Sequence, residues 1–149
     1  MVERHGGWIN KFEGDAALAI FGAPAPLNDA EGRALRVARE LDEQLRDRVQ
    51  ELAAGIGVAA GTVVAGHIGA EQRFEYTVIG DPVNEAARLT ELAKSHPTRV
   101  LASSGVVERA ERGEGTRWEL GESVELRGRG QPTTVASPKV ATDIQATQT

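Results

Sequence analysis

Cysteine is absent from the 149-residue sequence, which excludes a disulfide scaffold, a thiolate metal site and a cysteine nucleophile. A basic excess is also missing. Lys and Arg number 17 against 22 Asp and Glu, a net charge of −5, opposite to the footprint of a nucleic-acid binder. No nucleic-acid partner is therefore expected. No apolar run approaches the ~18 residues that span a bilayer. The expected location is cytoplasmic, by itself or as the cytoplasmic domain of a membrane-anchored parent. There is no internal repeat and no linker long enough to divide the chain. What remains is a globular balance of 40% apolar and 26% charged residues, enough for one domain with a core.

The pattern along the chain predicts alternating strands and helices. Trp8 to Phe12 and Ala16 to Phe21 read as a hairpin around the turn signal Glu13-Gly14-Asp15. Gly22 to Pro26 is a breaker. A helix capped by Asn28 or Asp29 follows. Its buried stripe is Ala34, Val37, Ala38, Leu41, Leu45, Val49 and Leu52, and its polar residues form a solvated face. Ile56 to Ala65 is expected as one strand with close backbone neighbours, and Phe74 to Ile79 as another. Pro82 suits the first turn of a second helix reaching about Lys94, with Val83, Ala86, Ala87 and Leu89 to Leu92 inward. Arg99 to Ala102 reads as a strand, and Ser103 or Ser104 as the cap of a short helix. Residues 117–126 read as strand, turn, strand, and Thr133 to Val140 as an edge strand broken at Pro138. This order predicts an α+β fold with an antiparallel-containing sheet and helices on one face.

Two segments carry candidate chemistry, Lys11 to Asp15 and Tyr76 to Leu89. Asn84 and Arg88 are four apart on a predicted helix and share a face. An amide beside a guanidinium suits an anionic, oxygen-rich ligand, although such a pair needs no ligand. Asp15 at a turn either bonds its own backbone or offers oxygen to Mg²⁺. Arg127 and Arg129 flank Gly128 in a loop that is either a phosphate clamp or an exposed basic turn. His5, His67 and His96 lack metal-ligand spacing, and His67 between two glycines reads as a loop residue.

Together these segments resemble the class III nucleotidyl cyclase catalytic domain, the family of adenylyl and guanylyl cyclases, in its bacterial, mycobacterial-like form. The specific match runs from Gly57 to Leu92, through Val58-Ala59-Ala60-Gly61-Thr62-Val63-Val64-Ala65-Gly66-His67-Ile68-Gly69 and Tyr76-Thr77-Val78-Ile79-Gly80-Asp81. Trp8 to Gly22 is similar to the family's metal-bearing hairpin, and Leu126 to Gly130 to its Lys-Gly-Lys-Gly loop.

The resemblance implies a ferredoxin-like α+β core with a mixed or antiparallel sheet and packed helices. It implies conversion of ATP to cyclic AMP and pyrophosphate with Mg²⁺ or Mn²⁺, two ions in the complete domain. It implies that Asp15 holds metal, Lys11 recognises adenine N1 and Thr77 reads the adenine amino group. Asn84 then orients the ribose, Arg88 stabilises charge on the α-phosphate, and Arg127 contacts the terminal phosphates. A homodimer with active sites at the interface follows from the same likeness. The family's Phe-x-Asp-Ile-x-Gly-Phe strand, with the other metal aspartate, has no counterpart here, nor has the helix after it. The expectation is thus a partial catalytic domain over residues 1–138 with a flexible tail over 139–149, inactive or nearly so alone. The alternative is a degenerate module that binds nucleotide or only dimerises.

Overall fold

A computed structural model describes residues 1–13, 16–48, 54–68, 75–111, 113–126 and 131–139. The expected hairpin forms from β1 (Trp8–Glu13) and β2 (Ala16–Ile20), antiparallel, with a register shift between Ile9 and Lys11 that leaves Asn10 as the extra residue. Trp8 Nε1 donates a 2.6 Å hydrogen bond to the Ala23 carbonyl, so the hairpin is tied to the breaker that follows it.

Helix α1 (Ala30–Arg48) begins where the capping residue predicted. Asp29 Oδ1 accepts from the Gly32 amide at 3.1 Å and also from the Glu111 amide at 2.9 Å. The helix buries Leu35, Val37 and Ala38. The expected stripe residues Val49 and Leu52 lie outside the described residues.

After α1 the chain enters β3 (Ile56–Val58), crosses to β4 (Val64–Ile68), and returns through β5 (Glu75–Ile79). Helix α2 (Asp81–Ala93), β6 (Val100–Ser103) and α3 (Ser104–Arg109) follow, then β7 (Trp118–Val124) and β8 (Thr133–Pro138). Among the described residues there are three sheets: β1-β2, β4-β5, and a four-stranded sheet in the order β3-β6-β8-β7. The fold class is α+β, as expected.

Several local expectations are corrected. The segment from Ile56 to Ala65 is not one strand. Its first part pairs parallel to β6 and its last part antiparallel to β5, and residues 59–63 carry the chain between sheets. Gly61 passes the start of α2 so closely that an added Cβ would stand 2.7 Å from Pro82 Cγ. His67 is a strand residue opposite Tyr76, not a loop residue.

Residues 117–126 contain one strand rather than two. Gly121 and Glu122 are not a turn: Leu120 pairs with Ala136 and Ser123 with Thr134, so the two residues between face Val135 alone. That two-against-one count is a β-bulge. Strand β8 is not an edge, since it lies between β6 and β7. Pro138 sits at its end, where a missing amide costs least.

The helices cover both faces of the four-stranded sheet, not one. Val100, Ala102 and Ala136 pack with Leu35 and Ala38 of α1 and Val106 of α3. Leu101 and Val135 pack with Leu89 and Ala93 of α2. Side chains alternate across a strand, so α2 must lie opposite α1 and α3. A strand buried at every position, as β6 is, requires cover on both sides.

Gly57 sets how closely α2 approaches. A Cβ there would overlap the Ala86 carbonyl oxygen and stand 2.5 Å from the Thr90 amide nitrogen, both of them backbone atoms of α2. Gly57→Ala is expected to push the helix off the sheet and cost about 1–3 kcal/mol, as overpacked cores do. A denaturant midpoint equal to that of the unaltered chain would contradict this.

The polar side of α1 is not wholly solvated. Arg39 reaches Glu114 in a short 3-10 turn, with Nε–Oε2 at 2.6 Å and Nη2–Oε1 at 2.7 Å. Trp118 Nε1 donates to the same Oε2 at 3.0 Å. The hydrogen bond to Glu114 raises the Arg39 pKa above its ordinary value, with burial opposing it.

Candidate functional site

The site grows from α2. Strand β5 runs into it through the single residue Gly80, whose carbonyl accepts from the Val83 amide at 3.1 Å. Pro82 stands in the first turn, where it forfeits no intrahelical bond. The helix buries Glu85, Leu89 and Ala93, one turn apart in succession. The side next to this stripe exposes Asn84 and Arg88.

That pattern corrects the expected inner face, because Ala87 and Leu92 are exposed and the buried stripe begins with a carboxylate. Glu85 was legible at four residues before Leu89 and eight before Ala93. Its charge hid it. Thr133 Oγ1 donates to Glu85 Oε2 at 3.1 Å, with both residues 5% exposed.

Neither the Asn84 amide nor the Arg88 guanidinium has a hydrogen-bond or ion-pair partner among the described residues. They stand one turn apart, and Asn84 is in the first turn of the helix, where the dipole favours an anion. Together they offer a carbonyl acceptor, an amide donor and a planar fork of N–H donors.

Lys11 is in β1 opposite Leu18, and Thr77 is in β5 opposite Gly66. Strand β1 comes near β5 at one place, although the two belong to different sheets and share no ladder. The fold therefore sets the Lys11 strand near the Thr77 strand, and the latter leads into the helix of Asn84 and Arg88. Asp15 and Arg127 lie outside the described residues.

Among the described residues, no group of three or more His, Asp or Glu side chains stands close enough to hold a metal ion. No described helix is long and apolar enough to cross a membrane.

The family model described as Adenylate and Guanylate cyclase catalytic domain matches residues 3–136. An uncharacterized protein of Mycobacterium tuberculosis is 61% identical over 137 residues, which is 92% of this chain and 25% of that protein. An uncharacterized protein of Mycobacterium bovis is 60% identical over the same length. The chain thus spans about a quarter of the curated relatives it matches. Among solved structures, the guanylyl cyclase Cya2 is similar with 32% identity and a TM-score of 0.71, covering 91% of this chain and 71% of that one. The adenylyl cyclase CyaB from P. aeruginosa shares the fold at 24% identity and a TM-score of 0.73, covering 94% and 75%. With nearly its whole described length matched, the chain belongs to the adenylate and guanylate cyclase catalytic domain family.

Proposed function

We propose that the chain is part of the catalytic domain of an adenylate cyclase, which in the complete protein converts ATP to 3′,5′-cyclic AMP and pyrophosphate at the interface of a homodimer. The observation that supports this reading best is the neighbouring placement of the Lys11 and Thr77 strands, with Asn84 and Arg88, which have no partner among the described residues, on the helix that follows. In this reading Lys11 donates to adenine N1 and Thr77 accepts from the adenine amino group. Asn84 holds the ribose so that its 3′-oxygen faces the α-phosphorus. Arg88 supplies positive charge to the α-phosphate as that oxygen attacks and the bond to pyrophosphate breaks. Arg127 holds the terminal phosphates. Asp15 contributes to a site for Mg²⁺ or Mn²⁺, which when bound supplies Lewis acidity.

Guanylyl cyclases of this family typically carry Glu and Cys where Lys11 and Thr77 stand. The test is product analysis by chromatography with ATP and GTP supplied in parallel to the complete protein. Cyclic AMP is expected to dominate. The double change Lys11→Glu with Thr77→Cys is expected to lower kcat/KM for ATP by about 10²-fold or more, because the groups facing the base then no longer match its hydrogen-bonding edge. Equal use of both nucleotides by the unaltered protein, or unchanged selectivity in the variant, would refute the base-reading roles. Binding of ATP without turnover would instead favour the non-catalytic module.

A further inference from the structure

Glu85 is a buried carboxylate that the proposed reaction does not use. It sits directly after Asn84 and three residues before Arg88, on the adjoining, inward side of α2. Burying a carboxylate is costly unless it is hydrogen-bonded, and an apolar side chain of similar volume packs into such a place at lower cost. Leu89 and Ala93, which continue the same stripe, are apolar and pack against Leu101, Leu126 and Val135. That packing is non-directional. It holds the helix down without fixing its rotation about its own axis.

The Thr133 to Glu85 hydrogen bond is directional, and it acts at the end of α2 that carries Asn84 and Arg88. Thr133 is the first residue of β8, the strand held between β6 and β7, so the anchor is fixed to the middle of the sheet. Leu126, at the end of the preceding described segment, is buried in the Leu89 cluster. Leu126 and Thr133 thus both meet the inner face of α2, the first by packing and the second by a hydrogen bond.

We propose that Glu85 is a positioning residue. Through Thr133 it sets the rotation of α2 and hence the aim of Asn84 and Arg88 at the nucleotide. The proposal rests on the cyclase reading of those two residues. A misplacement of about 1 Å in a positioning group costs on the order of 10²-fold in rate, so slackening this bond is expected to be visible in turnover.

The experiment compares Thr133→Val, Glu85→Gln and Glu85→Ala in the complete protein, at a temperature where circular dichroism shows each folded. Thr133→Val keeps the branched shape and removes the hydroxyl donor. It is expected to lower kcat for cyclic AMP about tenfold or more, with KM for ATP changed little, since aim matters most in the transition state. Glu85→Ala is expected to do the same. Glu85→Gln retains a carbonyl acceptor and is expected to keep most of the turnover. Hydrogen exchange gives a readout independent of activity: the amides of 81–89 and 133–135 are expected to exchange faster together in Thr133→Val.

An unaltered protein that turns over ATP, with kcat unchanged in Thr133→Val, overturns the inference and leaves the cyclase reading intact. So does a Glu85→Gln variant as impaired as Glu85→Ala. An unaltered protein without turnover overturns the cyclase reading and the positioning role together. Should Glu85→Ala fail to fold, Thr133→Val decides.

Discussion

Arg88→Ala is expected to reduce cyclic nucleotide formation by about 10²- to 10³-fold, the usual cost of removing one group that stabilises transition-state charge. The guanidinium is exposed and has no ion-pair partner among the described residues. Its removal therefore breaks no described contact, and stability is expected to stay within about 0.5 kcal/mol. That contrast makes the substitution informative, because lost turnover cannot then be attributed to unfolding. The loss is expected in kcat more than in KM, as for an interaction made chiefly in the transition state. Arg88→Lys is expected to recover only part of the rate, since an ammonium cannot reproduce the planar fork of donors.

The proposed homodimer offers a second readout from the same variant. If Asp15 of one protomer and Arg88 of the other meet at one nucleotide, mixing Asp15→Ala with Arg88→Ala chains restores activity. Half of the randomly formed dimers are mixed and each has one complete site, so recovery is about a quarter of the unaltered rate. Full turnover in Arg88→Ala alone, or no recovery on mixing chains that do exchange, would remove the basis for the proposed site.

Glu114→Ala is expected to cost about 3 kcal/mol or more of folding stability, seen as a lower midpoint in urea. The carboxylate takes two hydrogen bonds from Arg39 and one from Trp118 Nε1, and the Arg39 and Glu114 side chains are only 16% and 9% exposed. Removing the carboxylate leaves a guanidinium short of its counter-charge and an indole N–H without that acceptor. Breaking one side of a buried pair is strongly destabilising for this reason. Replacing both partners by apolar residues, Arg39→Met with Glu114→Leu, is expected to recover much of the loss, because neither charge is then stranded. A double variant no better than Glu114→Ala would place the stabilisation in side-chain packing instead.

Much of the architecture was legible before any coordinates. The hairpin from Trp8 to Ile20 follows from two apolar runs around a turn signal. Helices α1 and α2 follow from apolar recurrence at three and four residues and from their starting signals, Asp29 and Pro82. The Asn84–Arg88 pair needed only helical spacing to share a face. These features are local, and short-range periodicity and turn chemistry are enough to specify them.

The missed features all depend on partners far away in the chain. Ile56 to Ala65 reads as one β-rich run, but its two ends pair with strands in different sheets. Gly121 and Glu122 have turn chemistry, yet β8 aligns beside them and converts them to a bulge. Arg39 and Glu114 are 75 residues apart, and Glu85 and Thr133 are 48 apart. The sequence by itself determined the N-terminal hairpin, helices α1 and α2, the family and the face shared by Asn84 and Arg88. Only the tertiary structure decided that helices cover both sheet faces, that β1 comes near β5, and that two carboxylates are buried. Local spacing records which side of an element is apolar; what that side meets, and whether a charge finds its counterpart there, depends on contacts made only when the chain closes on itself.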